Sequence, residues 1–464
     1  MTNKSRLFAA VAGAMSLGAT AWAAEPAQMD AKIQQLEAKV ASLEAKQAQN
    51  SKDLAATVDA VLRDAEKRSQ LLAAGGEMGA GYDGGFYIRA GENWVLRPSV
   101  LFQFWNDTTY RQDVVRSSGG RDDQLDNGFE VHRLQLAFEG TAFMKELTYE
   151  FRWMTGPDSG GLSLLDAYAR YMFADDWGVR MGQYKDLVSH EWLIGDQYLL
   201  AAERTLLNQI LGGGYVGRTQ GASLVYGGYN KNNAVNAEVA FTDGIGQANT
   251  DFTKKQGPSV PAIVDGQPVQ HEFDFGVTGR VEYKVLGDWR DYRDLTAKGD
   301  KEDLLVLGAG GDWSQSGAGN SLVGALDAQY ETASGLMLYG AGLIRHLNSE
   351  ISPFGQNTTD WGLQGEVAYM LNPSWEVFGV VDWTKYGEAA SSGVNETQFW
   401  EVSVGVNYYL GNNGSAGHRA KITIDGTWFP NGVPTTIDFM QIGAQDQNDG
   451  ANEFMLRAQF QLLI

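Results

Sequence analysis

The chain has 464 residues, a formal net charge of −21 and no cysteine. The negative charge excludes a nucleic-acid-binding protein, which needs a basic track for phosphate groups. The lack of thiols excludes disulfide bonds and a lipid-anchoring cysteine. Beyond the N-terminus no run of eighteen apolar residues occurs, which excludes a protein that crosses a membrane with helices.

The first residues predict an export signal. Lys4 and Arg6 precede a long apolar run, and Ala21-Trp22-Ala23 offers the small residues that a signal peptidase reads. We therefore expect residues 1–23 to be a signal peptide that is removed after export.

Residues 29–72 predict a periplasmic coiled coil. The seam positions of its heptads are Ile33, Leu36, Val40, Leu43, Gln47, Asn50 and Leu54. Lysines at g and glutamates at e can pair between parallel chains, which favours association over a plain surface helix. Branched residues at a with leucine at d favour two strands by simple rules, so the heptads leave dimer and trimer open. A glycine-rich joint with a short hairpin follows over residues 73–93.

From residue 94 to residue 464, apolar and polar side chains alternate in segments long enough to cross a bilayer as tilted strands. In the last segment one face carries Phe454, Leu456, Ala458, Phe460, Leu462 and Ile464, and the other carries Met455, Arg457, Gln459 and Gln461. Sixteen segments have this pattern: 94–106, 129–140, 146–154, 163–173, 176–184, 217–229, 233–243, 273–285, 303–313, 320–332, 335–346, 359–371, 374–385, 397–410, 418–428 and 453–464. The sequence therefore predicts an all-β fold, a closed antiparallel transmembrane barrel of about 16 strands.

The connections between these segments are alternately long and short. This alternation predicts that the long loops lie outside the cell and the short turns lie in the periplasm. Residues 286–302 break the rule, because they are long where a short turn is due. Either that turn is elaborated or one strand is miscounted.

A series of short motifs between residues 127 and about 229 resembles a known family. These motifs are Gly128-Phe129-Glu130-Val131-His132-Arg133, Phe138-Glu139-Gly140-Thr141, Leu165-Asp166-Ala167-Tyr168, Arg180-Met181-Gly182-Gln183-Tyr184-Lys185 and Glu203-Arg204. Together they resemble the phosphate-selective porin O/P family. The resemblance implies a trimeric outer-membrane diffusion channel in which the loop after Lys185, at about 185–216, folds inwards and narrows the pore.

The chain departs from the family pattern at three places. Lys185 is followed by Asp186-Leu187 where the family usually has Pro-Phe, His132 stands where an arginine is usual, and the chain ends in Ile464 instead of an aromatic residue. Phosphate selectivity is therefore not carried over to this chain.

The polar faces of the segments supply the candidate pore residues. Facing the lumen we expect Arg133, Glu139, Glu150, Arg152, Asp166, Arg170 and Arg180. Such a mixed wall would create a transverse field, although mutual ion pairs explain the same pattern. At the constriction we expect Lys185, Asp186, His190, Glu191, Asp196, Glu203 and Arg204. Acidic groups outnumber basic ones there, so the composition does not indicate an anion-selective constriction.

No cofactor is expected from the sequence. The acidic stretches 121–127 and 446–449 could bind a divalent cation or bridge to lipopolysaccharide, but neither forms a complete calcium loop. The five histidines are scattered, and no His-Glu-x-x-His or Gly-x-Ser-x-Gly motif occurs. These features argue against an enzyme, and an outer-membrane phospholipase with a Ser/His site is the least favoured reading.

The sequence therefore predicts a porin, a passive diffusion channel for small hydrophilic solutes or ions in the cell outer membrane. Its expected partners are outer-membrane lipid, two further copies in a homotrimer, and the cell wall through the coiled coil. The alternative is a structural anchor, in which a plugged barrel tethers the envelope to the cell wall through the same coiled coil.

Overall fold

The computed structural model describes residues 34, 36–44, 46, 49, 63, 78–115, 120–156, 160–229, 232–251, 255, 259–264, 267–349, 357–387, 396–434 and 452–464. The chain divides into two units, residues 1–77 and 78–464. In the first unit the described residues are helical and exposed, Leu36, Val40 and Leu43 among them. Ile33, Gln47, Asn50 and Leu54, and the predicted signal peptide, lie outside the described residues. None of the described helices has the length and apolarity to span a bilayer.

The second unit is built on one sheet of eighteen strands and a separate two-stranded hairpin. Strands β1 (Met78–Tyr82) and β2 (Phe86–Ala90) form a hairpin beside β3. The other sixteen strands of the sheet form the barrel: β3 (Trp94–Val115), β4 (Arg121–Ala142), β5 (Met144–Thr155), β6 (Leu162–Met172), β7 (Trp177–Lys185), β8 (Arg218–Tyr226), β9 (Val235–Thr242), β12 (Phe275–Leu286), β13 (Leu304–Ser316), β14 (Gly319–Glu331), β15 (Leu336–Ser349), β16 (Thr358–Asn372), β17 (Trp375–Lys385), β18 (Gln398–Tyr409), β19 (Ala420–Phe429) and β20 (Glu453–Leu463). The separate hairpin, β10 (Ser259–Val264) and β11 (Gln267–Glu272), lies between β9 and β12.

The barrel is closed by the pairing of β20 with β3. Gln461 lies opposite Gln103 in this seam, and the main chains of Val100 and Ile464 exchange two hydrogen bonds of 2.9 and 3.0 Å. Every neighbouring pair around the ring is antiparallel. The predicted closed barrel of sixteen strands is confirmed.

Side chains alternate across the wall as the sequence pattern predicts. On β20, Phe454 and Leu456 are exposed on the outer surface, whereas Arg457 and Gln459 are buried inside the barrel. Because successive residues of a strand point to opposite faces, one strand can present an apolar surface to lipid and a polar surface to the lumen.

The sixteen predicted segments coincide with the sixteen barrel strands, and most of the differences lie at their ends. The largest difference is at β3 and β4, which are longer than predicted. β3 continues to Val115, and β4 begins at Arg121. Most of residues 107–128, predicted as a loop, is therefore a continuation of this hairpin. The polar side chains of 121–127 resemble a loop in composition, but they also suit a strand whose two faces meet water.

The connection predicted to be anomalous is an elaborated turn. It runs over residues 287–303 between β12 and β13, and it contains a single 3-10 turn at Asp291–Arg293. Trp289, Tyr292 and Leu295 are nearly fully buried. This segment, called here the long turn, folds back into the barrel at the end where the other turns are short.

The connection between β7 and β8, residues 186–217, is called here the inward loop. It contains three short helices, α1 (His190–Leu193), α2 (Leu206–Leu211) and α3 (Gly213–Val216). The first two helices are capped at their N-termini by side chains. Ser189 accepts a hydrogen bond from the Trp192 amide, and Thr205 accepts one from the Asn208 amide. Most of its side chains are buried, because the loop lies inside the barrel.

Candidate pore and its lining

The inward loop is attached to the far wall by carboxylates that accept its main-chain amides. The amide of Ala202 donates to Asp425 (3.1 Å), that of Leu206 to Glu401 (2.6 Å) and that of Leu207 to Asp382 (3.1 Å). The first amides of a helix have no partner within it, and a carboxylate at that end is favourable. The acidic wall of β17–β19 therefore holds the start of α2 in place.

Apolar contacts fill the same half of the lumen. In α2 the side chains of Leu206, Leu207, Ile210 and Leu211 are almost completely buried. They belong to one apolar cluster with wall residues of β14–β18, which include Val323, Tyr339, Leu343, Phe378, Val380 and Phe399. An apolar cluster of this size excludes water from that side of the barrel.

Within the loop, Glu191 acts as an internal brace. Its carboxylate accepts hydrogen bonds from the Thr205 amide (2.8 Å), the Thr205 hydroxyl (2.9 Å) and the Asn208 side chain (2.8 Å). Asp186 is likewise buried and accepts from the hydroxyl of Thr278 on β12 (2.7 Å). Burial and the nearby Asp312 raise the pKa of Asp186 well above its usual range. These two acids hold the loop together and do not line the open cavity.

A second buried network joins the loop to β4. His132 and Arg133 both face inwards because β4 has a bulge there, with Gln103 opposite Arg133 and Phe104 opposite Val131. Glu203 forms an ion pair with Arg133 and a hydrogen bond with the His132 imidazole (3.2 Å). Burial alone would raise the pKa of Glu203, but Arg133 and His132 lower it. Glu203 therefore stays ionised within a compensated cluster.

An open cavity of about 540 Å³ remains between the inward loop, the long turn and the wall of β4–β8. Its basic lining residues are Arg152, Arg180, Lys185, Arg218, Arg290 and Arg293. Its acidic lining residues are Glu150, Asp166 and Asp196. Among the described lining residues the basic groups thus outnumber the acidic ones by six to three.

Several of these charges are paired along the wall. Arg218 contacts Asp166 through two hydrogen bonds of 2.9 and 3.1 Å, and Arg152 contacts Glu150 at 2.7 Å. Lys185 instead donates to two main-chain carbonyls, those of Trp192 and Ile194, at 2.8 Å each. These two bonds attach the Lys185 side chain to the main chain of the inward loop.

Asp196 and His190 are two titratable groups that the loop contributes to the cavity. Burial would raise the pKa of Asp196, but Arg204, Arg133 and Lys185 together lower it well below its usual range. Burial lowers the pKa of His190 to about 4, although Asp327 and Glu282 oppose this effect. At neutral pH the loop therefore presents an anionic Asp196 and a neutral imidazole.

The structure places the predicted pore residues in two groups. Lining the cavity are Lys185, His190 and Asp196 from the predicted constriction, and Glu150, Arg152, Asp166 and Arg180 from the predicted wall. Buried in contacts of the loop are Asp186, Glu191, Glu203 and Arg204, with Arg133 on the wall beside them. Two predicted wall residues belong to neither group. Arg170 lies 3.9 Å from Glu238, and Glu139 is exposed on β4.

Three charged contributors to the lining were missed from the sequence. Arg218 is the first residue after the loop. Its guanidinium is held in position by Asp166, which lies 52 residues earlier in the sequence. Arg290 and Arg293 belong to the long turn, whose unusual length was the available signal. Among the described residues, no group of three or more His, Asp or Glu side chains has the arrangement of a metal site. Residues 446–449 lie outside the described part of the chain.

Comparison with known proteins agrees with this architecture. Residues 106–279 match the family model of phosphate-selective porin O and P, which confirms the resemblance over that part of the chain. No curated protein matches the chain in sequence.

Solved structures share the fold at low identity. An anion-selective porin from Comamonas acidovorans aligns with a TM-score of 0.51 and 11% identity, over 80% of this chain and 100% of its own. The outer membrane channel DcaP of Acinetobacter baumannii gives 0.50 and 11%, over 82% and 99%. Pseudomonas putida OprB gives 0.50 and 8%, over 79% and 94%.

Proposed function

We propose that the protein is a porin of the outer membrane, a passive diffusion channel for small hydrophilic solutes. The observation that carries this proposal is the open, charge-lined cavity left beside the inward loop in a closed barrel of sixteen strands. A barrel of this size is wide enough to hold an aqueous channel. The short turns then lie in the periplasm and the long loops outside the cell.

We further propose that the channel prefers anions. The composition of the inward loop argued against this, since its acidic residues outnumber its basic ones. The contacts between the loop and the wall separate these charges, however. Three acidic residues of the wall, Asp382, Glu401 and Asp425, accept main-chain amides from the covered side of the loop. The open side carries more basic than acidic groups, and such a lining raises the local concentration of anions. The similarity to an anion-selective porin supports the same preference.

Planar-bilayer recording of the purified protein tests both statements. We expect ohmic steps in symmetric potassium chloride, and in a salt gradient we expect a reversal potential of the sign that anion preference requires. A protein that inserts without conducting would remove the channel proposal. A reversal potential of the opposite sign would remove only the anion preference.

Assembly as a homotrimer through residues 29–72 is part of the proposal. The trimer rests on the family resemblance, whereas the heptads argue for association without choosing its order. Cross-linking of the protein in its native membrane reports the number of copies. Diffusion down a gradient requires no cofactor and no covalent chemistry, so we propose neither a catalytic residue nor a bound metal.

A structural anchor remains the second candidate, because the inward loop and long turn fill much of the barrel with apolar side chains. In that case the barrel would be plugged, and residues 29–72 would attach the envelope to the cell wall. Deletion of 29–72 separates the two functions. A channel keeps its conductance after the deletion, whereas an anchor loses the attachment of the envelope.

A further inference from the structure

The long turn, residues 287–303, crosses the mouth of the barrel at the short-turn end. Near its start, the Trp289 indole donates to the main chain of Asn233, in the turn between β8 and β9 (2.8 Å). Further along, the Asp294 carbonyl accepts from Gln329 on β14 (2.6 Å). Lys298 then donates to the Pro373 carbonyl between β16 and β17 (2.5 Å). The segment is therefore attached to strand ends on widely separated parts of the wall.

The middle of the long turn contacts the inward loop. Tyr292 stacks on His190 with ring centroids 3.7 Å apart and an interplanar angle of 11°. Leu295 lies in the same buried apolar cluster as Leu199 and Leu200 of the loop. The two segments therefore form one packed body, and the open cavity lies between this body and the wall of β4–β8.

The long turn presents two cations to this cavity. Arg290 is paired with Asp288 (3.1 Å). The second cation is Arg293. The residue is exposed and lines the cavity, and its Nε donates to the Arg290 carbonyl (3.2 Å). Among the described residues, no carboxylate lies within ion-pair distance of its guanidinium. An exposed guanidinium with this freedom is well placed to attract passing anions.

We propose that the long turn forms a second constriction of the pore at its periplasmic end, and that Arg293 determines charge selectivity there. This inference rests on the proposed channel function and adds a second site to it. A solute leaving the inward loop on the periplasmic side then passes Arg293 before it reaches bulk water. The charge of this residue acts on every permeating ion, even though it lies more than a hundred positions from Lys185.

The test compares Arg293→Gln with Lys301→Gln. Lys301 is an exposed cation of the same segment that does not line the cavity, so the two variants lose the same charge in different places. A unit charge about 7 Å from an ion in water shifts its energy by about RT. We therefore expect Arg293→Gln to lower the anion-to-cation permeability ratio about two- to threefold, and Lys301→Gln to leave it unchanged.

Because the chain contains no cysteine, single thiols provide an independent readout. Arg293→Cys should react with a sulfonate-bearing methanethiosulfonate added from the periplasmic side, and the current should fall. The same reagent on Lys301→Cys should leave the current unchanged. Ohmic current that neither substitution nor modification at Arg293 alters would overturn this inference alone. Absence of any ohmic current from the unsubstituted protein would instead overturn the channel function on which it rests.

Discussion

The imidazole of His190 lies flat against the phenol ring of Tyr292, with ring centroids 3.7 Å apart. These residues belong to the two segments that enter the barrel from opposite ends of its strands. The Tyr292 hydroxyl also donates to Glu282 (3.2 Å) and accepts from Arg280 (3.1 Å) on β12. This pair therefore couples the inward loop, the long turn and the wall.

Removal of the Tyr292 ring should loosen this coupling. We expect Tyr292→Ala to lower the free energy of unfolding by about 3–5 kcal/mol, because a buried aromatic ring is lost. In bilayers its current should be noisier and its conductance larger. Tyr292→Phe is the matched control: it keeps the stacked ring and loses only the hydroxyl bonds, at a cost of about 1.5–3 kcal/mol. Equal current noise in the two variants would contradict the role of the ring.

Gly310 on β13 allows the inward loop to approach the wall. A Cβ atom at this position would lie 2.2 Å from the Val188 carbonyl oxygen and 2.5 Å from that of Leu187. These are main-chain atoms, so Gly310→Ala must displace the loop, and we expect a loss of about 1–3 kcal/mol with an altered conductance.

Gly340→Ala provides the control for this substitution, since its Cβ would have only Gln364 O nearby, at 3.8 Å. Both substitutions replace glycine by alanine within a barrel strand. Unfolding in urea and single-channel recording should therefore distinguish them. A Gly310→Ala protein with normal conductance and stability would show that the loop does not depend on this close approach.

Acid should weaken the attachment of the inward loop through His190. Its folded pKa of about 4 lies below the usual histidine value of about 6.5, so the unfolded chain binds a proton more readily. The stabilisation from the neutral imidazole is complete above pH 6.5 and is lost as the pH falls towards 4. The shift corresponds to about 3 kcal/mol.

His190→Phe keeps a flat ring against Tyr292 and cannot be protonated. We therefore expect its stability and conductance to change less between pH 7 and pH 4 than those of the unsubstituted protein. The charged groups that face His190 are Asp327, Glu282 and Arg280, and all three are retained in this variant. An unchanged pH profile would assign the acid response to other groups.

Arg218, which lines the cavity, should contribute to its preference for anions. Arg218→Gln removes a positive charge from the lining, and it leaves Asp166 without its two-point contact. We expect the anion-to-cation permeability ratio to fall by about two- to threefold. Lys385→Gln, which removes a charge from the exposed side of β17, should not change it. Reversal potentials in a salt gradient report both effects.

The strands were predictable from sequence because each barrel residue faces either lipid or the lumen. Apolar and polar side chains therefore alternate along each strand, and this pattern can be recognised within a single segment. Residues 94–106 and 453–464 could be recognised separately and still pair as β3 and β20. The bulge that turns both His132 and Arg133 inwards was not predictable, because one extra residue in a polar stretch leaves no clear local signal.

The open side of the lumen was not predictable for a different reason. It depends on which wall the inward loop contacts, and the partners of Leu206 and Leu207 lie 195 and 175 positions away. Counting charges within the loop placed Glu191 and Glu203 beside the solute path. In the structure their carboxylates are used to hold the loop, and the charges that line the cavity come largely from elsewhere.

The seam between β3 and β20 has a consequence for assembly. The paired side chains of Gln103 and Gln461 are 358 positions apart, so the cylinder cannot be sealed until nearly the whole described barrel has been exported. Before that moment two unpaired strand edges would be costly in hydrocarbon, where no water can satisfy their amides and carbonyls. The edges of β3 and β20 must therefore be kept from hydrocarbon until the two strands have paired.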